Sequence, residues 1–529
     1  MEQHPRQTGK VYLVGAGPGD AGLITVKGMR CLQEADVIVY DRLAGPRLLQ
    51  FIKAGARKIY VGKLPDRHAM KQEDINQLLV DLALEGHTVT RLKGGDPCVF
   101  GRVGEEASLL RAHGILFEII PGVTSAVAVP AYAGIPVTHR DWASSFCVVT
   151  GHENPNKLDE LIEWDKLTLA AGTLLFLMGV AKLRYITEQL LRYGRSPDTP
   201  VALVRWGTRA EQETIVGTLA TIADEVERTG FKAPAVIVVG DVVRERAQLQ
   251  WAESRPLFGR RVLVTRARSQ ASELVRRIED LGGEPYEFPV IETRPPGTEA
   301  QRQALRRAMA EPDTYDWLVL TSVNGVHYWF KHLQELQADI RQWARTRIVS
   351  VGPQTTEALR GYGIQPDVAA SQYSQEGIWE ALKPLVHPGE HVLLARGDRS
   401  RSWLKDTLHE AGLHVDEVDL YVTVLPEQDD PDLLEMLEEQ SIHIITFTSS
   451  STVTNLLAAL RQMGVRNPAA LLNHALVACI GDVTARTARE AGLRVDAVAG
   501  HSTIDGLVEA MCELGCELRG LNNENIKNH

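Results

Sequence analysis

Short apolar runs alternate with longer amphipathic stretches along most of the chain. Runs rich in β-branched residues fall at 11–14, 37–40, 262–265, 318–321 and 444–448, with apolar positions at helical spacing in the segments between them. This alternation predicts an α/β chain with largely parallel sheets. One stretch departs from it. Residues 119–138 contain no Asp, Glu, Lys or Arg. Pro121, Pro130 and Pro136, with Gly122 and Gly134, interrupt any membrane-spanning helix there, so it reads as a buried loop, helix and strand.

The rhythm breaks over 244–259. This segment, RERAQLQWAESRPLFG, is charged, contains Pro256, ends in Gly259 and precedes a fresh strand. The major boundary is placed there, with a linker over 246–258 between halves of about 250 and 270 residues. The second half repeats itself. VLVTR at 262–266 returns as VLLAR at 392–396, LTS at 320–322 as FTS at 447–449, and VGPQTT at 351–356 as IGDVTA at 480–485. The offsets are 130, 127 and 129 residues. Three blocks in one order at nearly one spacing point to a duplicated lobe, and two similar lobes enclose a cleft.

Composition narrows the class. The 529 residues allow three to four domains. At 44% hydrophobic and 24% charged, the chain is neither disordered, collagenous nor a small disulfide scaffold. A net charge of −11 argues against a nucleic-acid binder with a global basic field, so an acidic small substrate would need locally clustered cations. Of six cysteines only Cys512 and Cys516 are close, and no Cys/His pair at ligand spacing joins them, so no metal site is expected. Scattered cysteines and a polar stretch at 1–9, with no apolar signal core, lead us to expect a reducing cytoplasm. Residues 513–529 read as a polar, disordered tail.

Two motifs in the first half carry candidate chemistry. GAGPGD at 15–20 follows a strand, and Asp41 ends the next one, where a ribose-binding acid would stand. However, a dinucleotide fingerprint needs glycine where Asp20 stands, and Pro18 lacks an N–H for a phosphate. The motif therefore reads as a tight strand-to-helix turn with Asp20 as a cap. RLKGGDPCVFGR at 91–102 is the stronger cluster. Gly94 and Gly95 allow close approach of a ligand, Asp96 can accept hydrogen bonds from hydroxyls or an ammonium, and Pro97 stiffens the turn.

These stretches resemble the tetrapyrrole methylases, and among them uroporphyrinogen-III C-methyltransferase. The resemblance rests on VGAGPGD (14–20), ADVIVYDR (35–42), VGK (61–63), QEDIN (72–76), 91–102, PGVTSA (121–126), AYAGIPVTHR (131–140), MG (178–179) and PAVIVVGD (234–241), and covers about 10–245. It implies two α/β lobes, about 10–140 and 141–245, with S-adenosylmethionine folded in a cleft between them. It also implies two methyl transfers to uroporphyrinogen III and a homodimer. By motif, the cofactor contacts would be Pro18, Gly94, Gly95, Asp96, Val99, Thr124, Ser125, Met178 and Gly207. Asp41 would be the base, or only a cap after its strand. Lys63 would be the acid, or a clamp on a substrate carboxylate. Cys98, Val103, Leu64 and the pair Arg205 and Glu213 depart from the family pattern.

The second half shows no triad or phosphate loop. Arg266, Arg268, Arg396, Arg399 and Arg401 collect at strand ends, where ligand crevices open, though solvated surface charge reads equally well. The motifs VTR (264–266), LGG (281–283), TSVN (321–324), VGP (351–353), ARG (395–397), VDLY (418–421), TSS (448–450) and IG (480–481) resemble uroporphyrinogen-III synthase over about 259–512. This implies cyclisation of hydroxymethylbilane with inversion of one ring. Tyr421 would assist hydroxyl departure, and Arg266, Ser322, Arg396, Ser450 and Thr484 would contact substrate. It further implies segment exchange, one lobe combining 259–293 with 427–512 and the other spanning 296–422. Two alternatives stay open: a methylase of a later corrinoid, or a C-terminal half that only binds tetrapyrroles.

Overall fold

The computed structural model describes residues 8–53, 55–62, 70–151, 162–266, 268–370, 374–398, 402–426 and 430–527. Its strands form four sheets. The first contains β1 (Lys10–Gly15), β2 (Val37–Tyr40), β3 (Arg57–Tyr60), β4 (Val89–Lys93) and β5 (Leu116–Ile120), parallel throughout in the order β3-β2-β4-β1-β5. The second contains β6 (Phe146–Thr150), β7 (Thr173–Leu177), β8 (Pro200–Arg205), β9 (Glu213–Thr218) and β10 (Ala235–Val239), ordered β6-β7-β10-β8-β9. Here the expectation of parallel strands fails, because only β6 and β7 run parallel. The short connection 206–212 leaves no room for a crossover, so β8 and β9 form a hairpin, and β10 slots in antiparallel to both neighbours.

The third sheet draws on both ends of the second half. It joins β11 (Arg261–Val264) and β12 (Glu284–Glu287) to three late strands, while β13 (Glu292–Arg294), β14 (Trp317–Leu320), β15 (Arg347–Val351), β16 (Val368–Ala370), β17 (His391–Gly397) and β18 (His414–Val424) build the fourth. The late strands are β19 (Ile444–Phe447), β20 (Leu476–Cys479) and β21 (Ala497–Val498). The orders β12-β11-β19-β20-β21 and β18-β17-β14-β15-β16 correspond strand for strand, with β13 added antiparallel at the edge of the fourth sheet.

The duplication reaches individual hydrogen bonds. Asp367 accepts from the Ile348 N–H at 2.7 Å, and Asp496 accepts from the Val477 N–H at 2.8 Å. The Asp316 carboxylate accepts from the His391 N–H, and the His443 ring accepts from the Arg261 N–H at the matching place.

Alternation within the strands sets the layers. In the second sheet Leu174, Phe176, Leu203 and Ile237 face one core, while Leu175, Leu177, Ala202, Val204, Val236 and Val238 face another. Helix Ser125–Tyr132 covers this second face with Ala126 and Val129. A sheet buried on both sides needs apolar residues at consecutive positions, as these strands have. The stretch 119–138 supplies β5, a loop and this helix. The strand expected after them is absent, because Gly134 at φ +73° ends the helical turn and Pro136 offers no donor.

The connecting segment is stapled down. Arg246 pairs with Glu253 at 2.5 Å, the Trp251 indole donates to the Ala131 carbonyl at 3.0 Å, and Leu257 is fully buried beside Val262 and Val264. The tail expected from 513 is also corrected. Helix Ile504–Lys527 runs through it, and Leu507, Val508, Met511 and Leu514 form a buried stripe at helical spacing.

Candidate functional site

Three glycine loops interlock where β1, β4 and β5 end side by side. A Cβ on Gly15 would lie 2.6 Å from the Gly122 Cα, and one on Gly122 would lie 2.4 Å from the Gly95 carbonyl oxygen. Gly17 and Gly95 exchange backbone hydrogen bonds of 3.2 and 2.7 Å. Asp96 holds two of the loops together, accepting from the Cys98 N–H at 2.7 Å and the Gly122 N–H at 2.9 Å. Both oxygens of this carboxylate thus already serve the loops. Gly94 packs on Leu43, which a Cβ would approach to 2.4 Å. At Gly95, φ is +68° and a Cβ would enter the gap facing the Ser125 N–H, 3.6 Å away. That open edge suits a ligand lying against the backbone. Asp20 caps the next turn through the Gly22 N–H and also accepts from the Tyr132 hydroxyl at 2.6 Å; Pro18 lies partly exposed beside it.

Helix Ser125–Tyr132 gathers the other expected cofactor contacts. Thr124 caps it and Ser125 begins it. Val99 packs into the apolar cluster beneath it, and a Cβ on Gly207 would strike Val129 at 2.5 Å. Met178 follows β7 directly. It is 53% exposed, and its φ is +57°. Phe100, Arg102, Trp206 and Thr208 share that left-handed geometry. All five lie in the loops carrying Val99, Met178 and Gly207. Such conformations cost roughly 1–3 kcal/mol each and persist only where surroundings fix them. By contrast, Gln337 and Gln440, also at positive φ, end ordinary helices.

Asp41 stands at the end of β2. One oxygen accepts from the Leu43 N–H at 3.1 Å and the other pairs with Arg91 at 2.9 Å. Beneath it lies a buried ionic network that no motif singled out. Glu106, with no exposed side-chain surface, accepts from Lys93 at 2.7 Å, Arg91 at 3.4 Å and Gln72 at 3.2 Å. Burial, then the Arg91 charge, lowers the pKa of Lys93. Glu105 and Glu106 look alike in sequence; only the helical spacing from Glu106 to the buried Leu110 separates them. Lys63, Leu64, Arg399 and Arg401 lie outside the described residues, as does the side chain of Arg268.

In the C-terminal half the expected residues fall in two groups. On the lobe of β14 to β18, Ser322 caps its helix through the Gly325 N–H and lies 3.2 Å from the Tyr421 hydroxyl. The Tyr421 ring stacks on Tyr328 with centroids 5.3 Å apart, and a Cβ on Gly397 would collide with it at 2.7 Å. Burial raises the Tyr421 pKa, which keeps the phenol protonated. Arg396, expected as a substrate handle, is 7% exposed and pairs with Glu417. On the other lobe, Arg266 follows β11 with its pKa lowered by burial. Ser450 accepts from the Thr487 hydroxyl at 2.8 Å, one helical turn from the buried Thr484.

Comparison with known proteins agrees with this two-part architecture. Residues 10–223 match the model of the tetrapyrrole (corrin/porphyrin) methylases, and residues 272–509 that of uroporphyrinogen-III synthase HemD. A porphyrin biosynthesis protein HemD of Ruminiclostridium josui is 38% identical over 96% of this chain and 98% of its own. The chain belongs to the fused tetrapyrrole methylase and uroporphyrinogen-III synthase family. A uroporphyrinogen-III C-methyltransferase of Bacillus subtilis is 42% identical over 77% of this chain and 85% of its own. Another, of Priestia megaterium, is 55% identical over 44% of this chain and 98% of its own.

The fused enzyme is a bifunctional catalyst of tetrapyrrole biosynthesis, with an S-adenosylmethionine-dependent methyltransferase half and a synthase half. One departure from the family pattern also resolves. Arg205 and Glu213 face each other across β8 and β9 and pair at 3.7 Å, so these two positions form an ion pair.

Proposed function

We propose that this enzyme cyclises hydroxymethylbilane to uroporphyrinogen III in its C-terminal half. The N-terminal half then methylates that product twice, giving precorrin-2 for sirohaem or cobalamin. The methyl-transfer reading is carried by the convergence of interlocked glycine loops and strained residues on the start of helix Ser125–Tyr132, with Asp41 at the rim. S-adenosylmethionine supplies an already activated methyl group, so the protein mainly aligns reactants, a contribution of about 7–11 kcal/mol in favourable cases.

Pro18, Gly94, Gly95, Asp96, Val99, Thr124, Ser125, Met178 and Gly207 line the cofactor in this reading. Asp96 acts there by fixing loop shape. Asp41, oriented by Arg91, accepts the proton that the macrocycle gives up from a position other than the methylated carbon as that carbon is alkylated, while Lys63 serves as acid or carboxylate clamp. In the synthase half, protonated Tyr421 donates toward the departing hydroxyl. Arg266, Ser322, Ser450 and Thr484, with Arg396 behind them, receive the substrate's carboxylates.

We infer further that the enzyme is a cytoplasmic homodimer through its methylase half, where Leu116, Trp142 and Phe146 are exposed. Sedimentation of the full chain tests this. No helix among the described residues is long and apolar enough to cross a membrane.

Anaerobic incubation with hydroxymethylbilane, with and without S-adenosylmethionine, tests the main proposal. Uroporphyrinogen III in the first tube and a dimethylated product in the second are expected. Isomer I alone would leave the C-terminal half as a binding module, and unmethylated isomer III would mean a different methyl acceptor.

A further inference from the structure

The loop 206–212 carries Gly207 and two strained residues, Trp206 and Thr208. From its own half it receives modest support. The Asp20 N–H donates to the Thr208 hydroxyl at 2.9 Å, and the Arg209 guanidinium lies 4.9 Å from the Trp206 ring while donating to the Leu43 carbonyl. The Trp206 N–H also donates to the Pro234 carbonyl at 3.4 Å and Gln212 to the Tyr132 carbonyl at 3.3 Å. Further restraints come from beyond the boundary. Glu284, at the start of β12, accepts from the Ala210 N–H at 2.8 Å. Arg261, at the start of β11, pairs with Glu211 at 2.6 Å and with Glu284 at 3.1 Å, its side chain only 6% exposed. Glu253 of the connecting segment accepts from Gln212 at 3.1 Å.

A half-buried carboxylate bonded to one backbone N–H and one arginine fixes that peptide in space. Surface salt bridges could join the halves without touching this loop, yet these do touch it. The seam also holds a cavity of about 80 Å³ lined by Arg47, Tyr132, Arg209, Arg255, Glu279 and Glu284. That is too small for a tetrapyrrole or a nucleoside, so neither substrate nor cofactor sits in the seam.

We propose that Glu284 and Arg261, residues of the synthase half, are positioning residues of the methyl-transfer site, holding the Gly207 loop in its strained, cofactor-receiving shape. This rests on the reading of Gly207 as a cofactor contact. The two activities are then coupled in one direction: loss of the synthase lobe loosens the methylase cofactor site.

The test uses the full-length chain with the substitutions Glu284→Ala, Glu284→Gln, Glu211→Gln and Gly207→Val. Binding of S-adenosylmethionine is measured by calorimetry, with KM and kcat for methylation and the synthase rate in the same samples. Glu284→Ala is expected to weaken binding and raise KM about ten-fold, below the roughly 10²-fold that a misplacement of about 1 Å can cost, with kcat nearly unchanged. The synthase rate should stay at its wild-type value, and Glu284→Gln should recover part of the affinity. Unchanged binding in Glu284→Ala with an intact synthase rate would overturn the proposal. Should Glu284→Ala fail to fold, Glu284→Gln and the half-exposed Glu211→Gln decide: no change in either is equally fatal. Gly207→Val separates the two levels. If it leaves binding intact, the reading of the loop as a cofactor contact is wrong and the proposal falls with it.

Discussion

Asp41 is fixed by two partners, and this separates its chemistry from its geometry. Asp41→Asn keeps the size and can still accept from the Leu43 N–H, but it removes the base and the charge facing Arg91. Methylation should fall about 10²–10⁴-fold, the usual contribution of a positioned acid or base, while S-adenosylmethionine binding holds. Calorimetry beside single-turnover kinetics would show the split. Glu106 presents the opposite case. It touches no expected substrate, but it is the anion beneath two buried cations. Glu106→Gln leaves Lys93 without its charge partner and Arg91 with Asp41 alone, and breaking a buried pair costs about 3–5 kcal/mol. Denaturant unfolding should show that loss. An unchanged midpoint would mean that water reaches the cluster.

Strands and helices were legible wherever the apolar rhythm was strong. The runs at 11–14, 37–40, 262–265, 318–321 and 444–448 all became strands, shifted by at most a residue or so. Strand direction was not legible in the second sheet. An apolar strand such as β7 or β10 has the same composition in either orientation, and only the shortness of 206–212 signals the hairpin. The glycines were visible as a cluster, but their mutual contact depends on β1, β4 and β5 being neighbours, which no local pattern states. Gly122 makes the point. Its φ is unremarkable, and its need for glycine comes wholly from Gly15 and Gly95 pressing on it. Gly122→Ala should therefore destabilise by about 1–3 kcal/mol as overpacking does, and weaken cofactor binding in the same samples. Thermal unfolding with and without S-adenosylmethionine would register both.

Across the whole molecule, acid should act at the seam between the halves. His443 is pulled down to about 4, first by burial and then by Arg260 and Arg261, with Glu211 and Glu284 opposing. Its ring accepts from the Arg261 N–H at 2.9 Å, so the folded state wants it neutral. The unfolded chain takes up the proton near pH 6.5 and the folded chain does not until about 4. Stability is therefore full above pH 6.5 and declines as pH falls toward 4, by about 2–3 kcal/mol from this residue. Denaturant curves at pH 7 and pH 4.5 should differ less in His443→Asn than in the parent.

The hydrogen bonds and ion pairs named at the seam fall on the connecting segment and on the lobe built on β11, β12 and β19. The chain passes between the two synthase lobes twice, before β13 and after β18, and those strands pair antiparallel, Glu292 with Val424 and Arg294 with Val422. Mechanically these two strands form a two-stranded stem at the edge of the β14–β18 lobe. Rotation of the β14–β18 lobe about the stem would widen or narrow the synthase crevice while the clamped lobe, and with it the pin on the methylase loop, stayed still. Under the proposed coupling, such a rotation would leave the restraints on the 206–212 loop in place.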